Sequence, residues 1–408
     1  MKKVLLLAMV VVLAVGTLLG GCAGQKPAPA PTGPPQVLKI GTVWPLTGLG
    51  MLWGLPFKNV IQYQADKVNS QGGFDVGGQK YTLEIIHEDS RYLPAEARKA
   101  IEKLVYQDKV KFILGPLGGG ELNAMLPVLN ENKVINVEVN NAFDCLGPDK
   151  PYCFRAYEGV GEQVYAMLKY FRDNHNVKTV QWVMDDTESG RSVIIDNTIA
   201  ADMLGIKTLS TEYFPRDVKD FYPIMSKVVP GKPDIIGVGG HPGVQGMQLK
   251  VLKELGYKGL LFTQTPTGAS LLAKVVDKNI LEGYYSTADV AEGPLATPLV
   301  KQWKAEWEAA GNSWEDAGVV TANYLPLLIQ GIQAAGTVTD TDKIKAAMEK
   351  MTFDSPVYGP CPWGGMERYG MNHQILTPMP ISRIEDGKDV GVALIPAKDL
   401  KIIVRPKQ

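Results

Sequence analysis

Short apolar segments alternate with amphipathic segments along most of the chain, and this alternation limits the fold more than any other feature. Residues 37–43 have the length and composition of a strand, and apolar residues then recur with helical spacing from Phe57 to Val68. The same order repeats along the rest of the chain. Six further segments resemble strands: 81–86, 110–114, 134–139, 179–184, 235–239 and 260–265. Strands that alternate with helices favour parallel sheets covered on both faces, so the sequence predicts an α/β fold.

Length and charge narrow the class of protein further. About 370 residues follow position 36, which is too long for one small core and predicts two lobes of roughly 100 to 200 residues each. The 42 basic residues nearly balance the 43 acidic residues. This balance gives no indication of a nucleic-acid partner.

The first 22 residues are typical of an export signal. Lys2 and Lys3 precede an apolar run over 4–19, which is short against the roughly 20 residues that a membrane-spanning helix needs. The ending Leu-Gly-Gly-Cys is similar to a bacterial lipobox, which predicts a signal peptide over 1–21 and lipidation of Cys22. Residues 22–36 are rich in Pro and Ala and predict an extended tether. We therefore expect an exported protein, anchored by lipid at the outer face of the cell membrane or in the periplasm.

Three cysteines follow the predicted anchor. Cys145 and Cys153 flank a Gly-Pro turn, so a disulfide between them in an oxidising compartment and a pair of free thiols are both open interpretations. Cys361 has no partner in either interpretation.

Two glycine-rich turns follow predicted strands. Gly48, Gly50 and Gly54 have the wrong spacing for a dinucleotide-binding loop, and Gly118–Gly120 lack the Lys-Ser/Thr of a phosphate-binding loop. We therefore expect no cofactor. Tight turns into helices explain most of these glycines, but three in succession also suit a helix N-terminus that receives an anionic ligand group.

The sequence contains no recognisable catalytic or metal-binding motif, and we expect neither enzymatic activity nor a bound metal. Searches for HExxH, GxSxG and CxxC patterns find none. His87, Glu88 and Asp89 would face different directions after a strand, which favours a solvated loop end over a metal cluster. Asp185 and Asp186 favour a helix-capping turn over a pair of carboxylates for acid–base chemistry.

Seven short motifs occur in the order found in type I periplasmic binding proteins, and the chain resembles the leucine/isoleucine/valine-binding branch that serves ABC importers. The resemblance extends from Val37 to Lys407, and its motifs are IGTVWPLTG (40–48), NSQGG (69–73), ED (88–89), 97–110, GPL (115–117), CFR (153–155) and DF (220–221). It implies two Rossmann-like lobes joined by three crossovers that form a hinge. By analogy we place the crossovers near Tyr157, Ser286 and Gly370. One lobe would then comprise 38–157 and 287–371, and the other 158–286 and 372–408.

The resemblance also implies ligand positions on the N-terminal lobe. Trp53 matches an aromatic ring that packs over the ligand in branched-chain amino acid binders. The serine that helps to hold the ligand carboxylate falls at Gly119, so backbone donors of Gly118–Gly120 would replace it. Asn140 matches a position whose backbone carbonyl binds ligand, and Ala142 matches a threonine; Asn140 and Asn141 are expected to supply amide contacts.

The other lobe departs further from the family pattern. A tyrosine becomes Ser189, paired aromatics become His241 and Pro242, and the acid that pairs with the ligand ammonium aligns at or beside Thr265. Without that acid, a ligand ammonium would have no partner charge, so we hypothesise that the ligand is a carboxylate or a polar neutral compound. Aromatic compounds are among the candidates. A relocated acid would keep amino acids as candidates, and the residues that could supply it are Glu188, Asp186 and Asp289. His241 has two open interpretations, as a donor to the ligand and as a helix cap.

The resemblance implies a substrate-binding lipoprotein that captures a small organic solute and delivers it to an ABC permease. The solute would be similar to a branched-chain amino acid, or a carboxylate or aromatic acid without the ammonium group. We expect a monomer with a lipid anchor as its membrane contact. A ligand-sensing receptor module that passes its closed state to a signalling partner is the alternative function.

Overall fold

The computed structural model describes residues 33–140, 145–265, 267–287, 290–314 and 321–405. Within these residues, two main sheets of mostly parallel strands are covered by helices, which confirms the predicted α/β class. The predicted signal peptide, Cys22 and most of the tether lie outside the described residues.

The first sheet has eight strands among the described residues, in the order β14-β15-β6-β5-β4-β1-β3-β2. The inner strands β6, β5, β4, β1 and β3 are parallel, whereas β2 and β14 run antiparallel to their neighbours at the two edges. Its strands are β1 (Gln36–Trp44), β2 (Phe74–Val76), β3 (Gln79–Asp89), β4 (Phe112–Leu117), β5 (Ile135–Val139), β6 (Cys153–Arg155), β14 (Trp363–Gly364) and β15 (Gln374–Ile375).

The second sheet has seven strands in the described part of the chain, in the order β17-β16-β11-β10-β9-β7-β8. Strands β7 to β11 are parallel, and β16 and β17 form an antiparallel edge. Its strands are β7 (Thr179–Asp185), β8 (Lys207–Phe214), β9 (Ile235–Val238), β10 (Leu260–Thr263), β11 (Tyr284–Ser286), β16 (Met379–Glu385) and β17 (Lys388–Ile395). A separate two-stranded sheet pairs β12 (Phe353–Ser355) with β13 (Gly359–Cys361).

We call the layers around the first sheet the first lobe and those around the second sheet the second lobe. The chain passes between the sheets after β6, after β11 and after β15. The last passage follows Ile375, because β15 still pairs with β6 through Gln374 and Arg155; this is later than the position near Gly370 expected from the sequence. The exact limits of the predicted lobes stay a prediction.

Helices cover both faces of each sheet. The helix Met51–Ser70 shows why the sequence folds this way: Phe57, Val60, Ile61 and Ala65 recur on one side and are buried. Among the described residues, the other helices of eight or more residues are Pro94–Glu102, Gly119–Glu131, Val160–His175, Glu188–Met203, Pro242–Glu254, Pro298–Ala309, Tyr324–Ala335 and Thr341–Met348. Shorter helices span Tyr222–Val228, Ala269–Leu272, Lys278–Leu281 and Met366–Tyr369, and a π-helical turn spans Lys103–Gln107.

One local prediction at the end of the second predicted strand was wrong. His87 and Asp89 lie inside β3, which pairs with β1 as far as Trp44, so they do not form a loop end. Thr42 Oγ1 lies 2.7 Å from His87 Nδ1, and Asp89 Oδ1 accepts a hydrogen bond from the Leu46 amide at 2.8 Å. The alternation of sides was expected correctly, but cross-strand pairing extends the strand beyond its apolar stretch.

The structure also bears on the cysteines and on membrane contact. Cys145, Cys153 and Cys361 are buried and form no disulfide bond with one another, so of the two interpretations of Cys145 and Cys153 the structure shows the one without a disulfide. Among the described residues, the helices are too short or too polar to cross a membrane.

Candidate functional site

A cavity lies where the carboxyl ends of the two parallel sheets face each other. From the first lobe its wall receives Leu117 at the end of β4 and Val139 at the end of β5, and from the second lobe it receives Asp185 at the end of β7. The cavity encloses about 870 Å³ of space outside the protein atoms, part of which is open to solvent. Open α/β sheets bind ligands at this edge, and the volume suits a small organic molecule.

Most of the wall is apolar and aromatic. Trp53 and Phe57 come from the first two turns of the helix Met51–Ser70, Tyr92 follows β3, and Tyr157 follows β6. Phe57 is held in place by stacking on Trp44, with ring centroids 4.8 Å apart. Such walls favour a ligand with an apolar body, because desolvation of both surfaces is then favourable.

The polar part of the wall belongs to the second lobe. Thr187 Oγ1 donates a hydrogen bond to Asp185 Oδ2 at 3.0 Å, and the Gly190 amide donates to Thr187 Oγ1 at 3.0 Å. Position 190 requires glycine, because a Cβ there would lie 2.2 Å from the Asp185 carbonyl oxygen. Burial raises the pKa of Asp185, although the Thr187 hydroxyl and Arg216 act in the opposite direction.

The glycine-rich turn of the first lobe leads into the helix Gly119–Glu131. Gly118 has φ 105°, a value that favours glycine. Glu121 lies in the first turn of this helix, is 1% exposed, and places Oε2 close to Gly118. Burial raises the pKa of Glu121, whereas its own amide and Arg216 lower it.

Several contacts join the two lobes beside the cavity. The Gly119 amide donates to Ser189 Oγ at 3.0 Å, and Asn123 Nδ2 donates to Glu188 Oε1 at 3.2 Å. Arg216 of the second lobe makes a larger set of contacts. Its Nη1 donates to the Tyr92 carbonyl oxygen at 3.1 Å, its guanidinium lies 4.1 Å from the centre of the Tyr92 ring, and Nη1 is 3.9 Å from Glu121 Oε1.

The structure brings four of the sequence-predicted site residues into the cavity wall. These residues are Trp53, Gly118, Ser189 and Thr265. They come from both lobes and from four separate segments, and the structure brings these segments together around one cavity. Whether each of them contacts ligand remains a prediction.

The other predicted residues lie beside the wall or outside the described chain. Gly119 contacts Ser189, and Gly120 faces Pro94. Asn140 is buried directly after the wall residue Val139. Asn141 and Ala142 lie outside the described residues.

His241 does not line the cavity, although its neighbour Gly240 does. It occupies the N-cap position of the helix Pro242–Glu254 but forms no side-chain capping hydrogen bond there. Burial and the nearby cations Arg216 and Lys219 lower its pKa, while a hydrogen bond to the Arg216 backbone raises it. The net lowering of its pKa favours a neutral imidazole.

Three acids were considered as a relocated ammonium partner, and the two that the structure describes do not line the cavity. Glu188 bonds to Asn123, and Asp186 pairs with Arg191 at 2.5 Å. Asp289 lies outside the described residues. Among the described residues, the acid in the wall is Asp185, the neighbour of Asp186.

Sequence reasoning missed most of the aromatic wall and Asp185. Phe57 was assigned to the helix core and Tyr157 to a crossover, while Tyr92 was not singled out. A usable signal existed, because Val139 and Asp185 end strands of parallel sheets, and open α/β sheets bind ligands at the carboxyl ends of their strands. Within the described residues, no group of three or more His, Cys, Asp or Glu side chains could hold a metal ion.

Two lobes with parallel sheets that enclose a cavity at their facing edges define a bilobal ligand-binding protein. The family model described as "Periplasmic binding protein" matches residues 37–389, and the chain belongs to this family.

Curated relatives carry names of the same kind. The Leu/Ile/Val-binding protein BraC3 of Rhizobium johnstonii is 24% identical over 321 residues, which is 76% of this chain and 83% of that protein. The leucine-, isoleucine-, valine-, threonine- and alanine-binding protein of Pseudomonas aeruginosa is 21% identical over 79% of this chain and 84% of that protein.

Solved structures with this fold include proteins that are described with different ligands. The leucine binding protein LivK of Thermotoga maritima has a TM-score of 0.75 at 20% identity and covers 89% of this chain and 100% of its own. A solute binding protein from R. palustris in complex with 4-hydroxybenzoate has a TM-score of 0.75 at 21% identity and covers 90% and 98%. At these identities the likeness supports the fold alone.

Proposed function

We propose that this protein is the substrate-binding component of an ABC importer, which captures a small organic solute between its lobes and delivers it to the permease. The single observation that carries this proposal is the cavity, whose wall comes from both lobes. A solute that fits this wall can bind fully only when the lobes are closed. It therefore shifts the population toward the closed form, and no covalent chemistry is needed.

The names of the relatives supply two solute classes for a first test, branched-chain amino acids and aromatic carboxylates. Native mass spectrometry of the purified protein identifies any co-purified solute. Calorimetry with leucine, isoleucine, valine, benzoate and 4-hydroxybenzoate then measures direct binding. X-ray scattering should show that a bound solute makes the protein more compact. A protein that neither retains nor binds a solute, and whose scattering does not change, would contradict the proposal.

The sequence pattern around Cys22 adds a proposal about location. Export followed by lipidation of Cys22 would hold a monomeric binding protein close to its permease, since acyl chains provide membrane affinity without a spanning helix. We expect Cys22→Ala to abolish fractionation with membranes and to leave solute affinity unchanged, because the tether separates residue 22 from the lobes. Membrane fractionation and calorimetry test the two parts separately. A variant that stays in the membrane fraction would contradict lipid anchoring.

A further inference from the structure

Asp185 is the one charged side chain among the described residues that line the cavity. It is partly buried and faces a wall that is otherwise apolar or neutral. Thr187 Oγ1 donates to one of its oxygens. A carboxylate oxygen can accept more than one hydrogen bond, so Asp185 retains acceptor capacity toward the cavity. The raised pKa of Asp185 agrees with a carboxylate that is not fully stabilised in this structure.

Two of the three glycine amides that would hold a carboxylate already donate to protein acceptors. The Gly118 amide donates to the Val139 carbonyl oxygen at 3.0 Å, and the Gly119 amide donates to Ser189 Oγ at 3.0 Å. The N-terminus of this helix also carries its own carboxylate, because Glu121 folds back toward Gly118. A second carboxylate from a ligand would be repelled there, which argues against the anion-binding role expected for Gly118–Gly120.

The nearest cation does not offset this arrangement. Arg216 is not among the wall residues, and its guanidinium already stacks on Tyr92, donates to the Tyr92 carbonyl oxygen and faces Glu121. Glu121 Oε1 has no hydrogen-bond partner among the described residues, and Arg216 Nη1 lies 3.9 Å from it. The positive charge of Arg216 therefore compensates the buried carboxylate of Glu121 rather than the carboxylate of a ligand.

The aromatic wall favours a cation as well. Trp53, Tyr92 and Tyr157 line the same cavity as Asp185. An organic ammonium ion is attracted both by the negative faces of aromatic rings and by a carboxylate, and the attraction grows when water is excluded. In an amine with an apolar body, the ammonium group matches the carboxylate of Asp185 and the apolar body matches the aromatic rings.

We infer that the solute is an organic amine bound as its ammonium ion, which pairs with Asp185 while its apolar body lies against Trp53 and its aromatic neighbours. This inference rests on the proposed function and names the class of solute that the site selects. It assigns the polar contact to Asp185 and requires no carboxylate on the solute. It therefore differs from the carboxylate hypothesis drawn from the sequence.

Two probes with the same aromatic body and opposite charge test the inference on the wild-type protein without its signal peptide. 2-Phenylethylamine carries an ammonium ion, and 3-phenylpropionate carries a carboxylate. Calorimetry at pH 7 should show binding of the amine and affinity for the carboxylate at least tenfold weaker. An amine that fails to bind, or a carboxylate that binds more tightly, would overturn the inference.

A pair of variants then tests the residue. Asp185→Asn removes the charge and keeps the shape, and we expect amine affinity to fall tenfold or more. Asp186→Asn is the matched control, because Asp186 is exposed and pairs with Arg191, and its amine affinity should be unchanged. Unchanged affinity in Asp185→Asn would overturn the assignment. Because the comparison of the two probes uses the wild-type chain, it remains decisive even if Asp185→Asn does not fold.

The two proposals fail in different ways. A carboxylate that binds and makes the protein more compact in scattering overturns the amine inference and supports the transport function. If the protein binds no solute and shows no closure, both proposals fail.

Discussion

Two neighbouring aspartates show how their surroundings give residues of the same type different roles. Asp185 faces the cavity, whereas Asp186 is exposed and pairs with Arg191. The sequence interpretation of the pair as a capping turn was incomplete. The capping hydroxyl belongs to Thr187, and Asp185, the last residue of β7, lines the cavity. Which of two adjacent acids faces a cavity depends on the residue at which the strand ends. Two aspartates in succession do not reveal that position.

His87 gives a prediction of pH dependence at the residue scale. Burial, with a smaller effect of Lys58, lowers the pKa of His87 to about 4. The unfolded chain then binds a proton near pH 6.5 that the folded chain does not bind, so stability is lost as pH falls from about 6.5 toward 4. The ring is partly exposed, which limits the effect to on the order of 1–2 kcal/mol.

Urea unfolding at pH 7 and pH 4.5 measures this loss, and His87→Gln should reduce it. The reason is that Gln can keep a polar contact with Thr42 without titrating. The same loss of stability in His87→Gln as in the wild type would assign the pH dependence to other groups.

At the scale of elements, helix N-termini contribute both stability and function. Thr187 caps the helix Glu188–Met203, and its hydroxyl also donates to Asp185. Asp340 caps the helix Thr341–Met348 through a 3.0 Å hydrogen bond from the Lys343 amide, far from the cavity wall. The sequence predicted the strands and most helices well, because their apolar periodicity is local. It predicted their ends less well, because a strand such as β3 is extended by pairing with β1.

Two capping variants separate these roles. Thr187→Ala should lower the free energy of unfolding by about 1 kcal/mol and also weaken solute binding, because it removes a cap and a donor to Asp185. Asp340→Ala should have a similar effect on stability and none on binding. Urea unfolding and calorimetry of both variants provide the comparison. Equal binding in Thr187→Ala and the wild type would show that the Thr187 hydroxyl does not help to orient Asp185.

At the scale of the whole molecule, closure depends on contacts between the lobes. Arg216 has the most extensive of these described contacts, with Tyr92 and Glu121 on the opposite lobe. Glu121 is buried with one unpartnered oxygen, so the approach of Arg216 supplies the nearest compensating charge. Opening of the lobes would separate these charges and expose them to water. The balance between the two states is therefore sensitive to this residue.

Replacement of Arg216 tests its role in closure. Arg216→Gln should increase the dissociation rate of a bound solute several-fold to tenfold and shift scattering toward a more open form, because it removes the charge that faces Glu121. Arg191→Gln is a matched control on the same lobe, since Arg191 pairs with Asp186 and packs over Tyr213 within that lobe. Stopped-flow tryptophan fluorescence and X-ray scattering measure both effects. Equal dissociation rates in the two variants would contradict the role of Arg216.

The sequence alone determined the α/β class, the order of strands and helices, and the general region of the cavity, because these follow from local periodicity and from motifs of the family. It also placed Trp53, Gly118, Ser189 and Thr265 in segments that meet. Only the tertiary structure decided which groups face the cavity and which face each other. Asp185 lines the cavity, Glu121 lies in the first turn of the helix Gly119–Glu131, and Arg216 of the second lobe contacts the first lobe. The physical reason is that burial and pairing depend on distances between segments far apart in the chain, and periodicity carries no information about those distances.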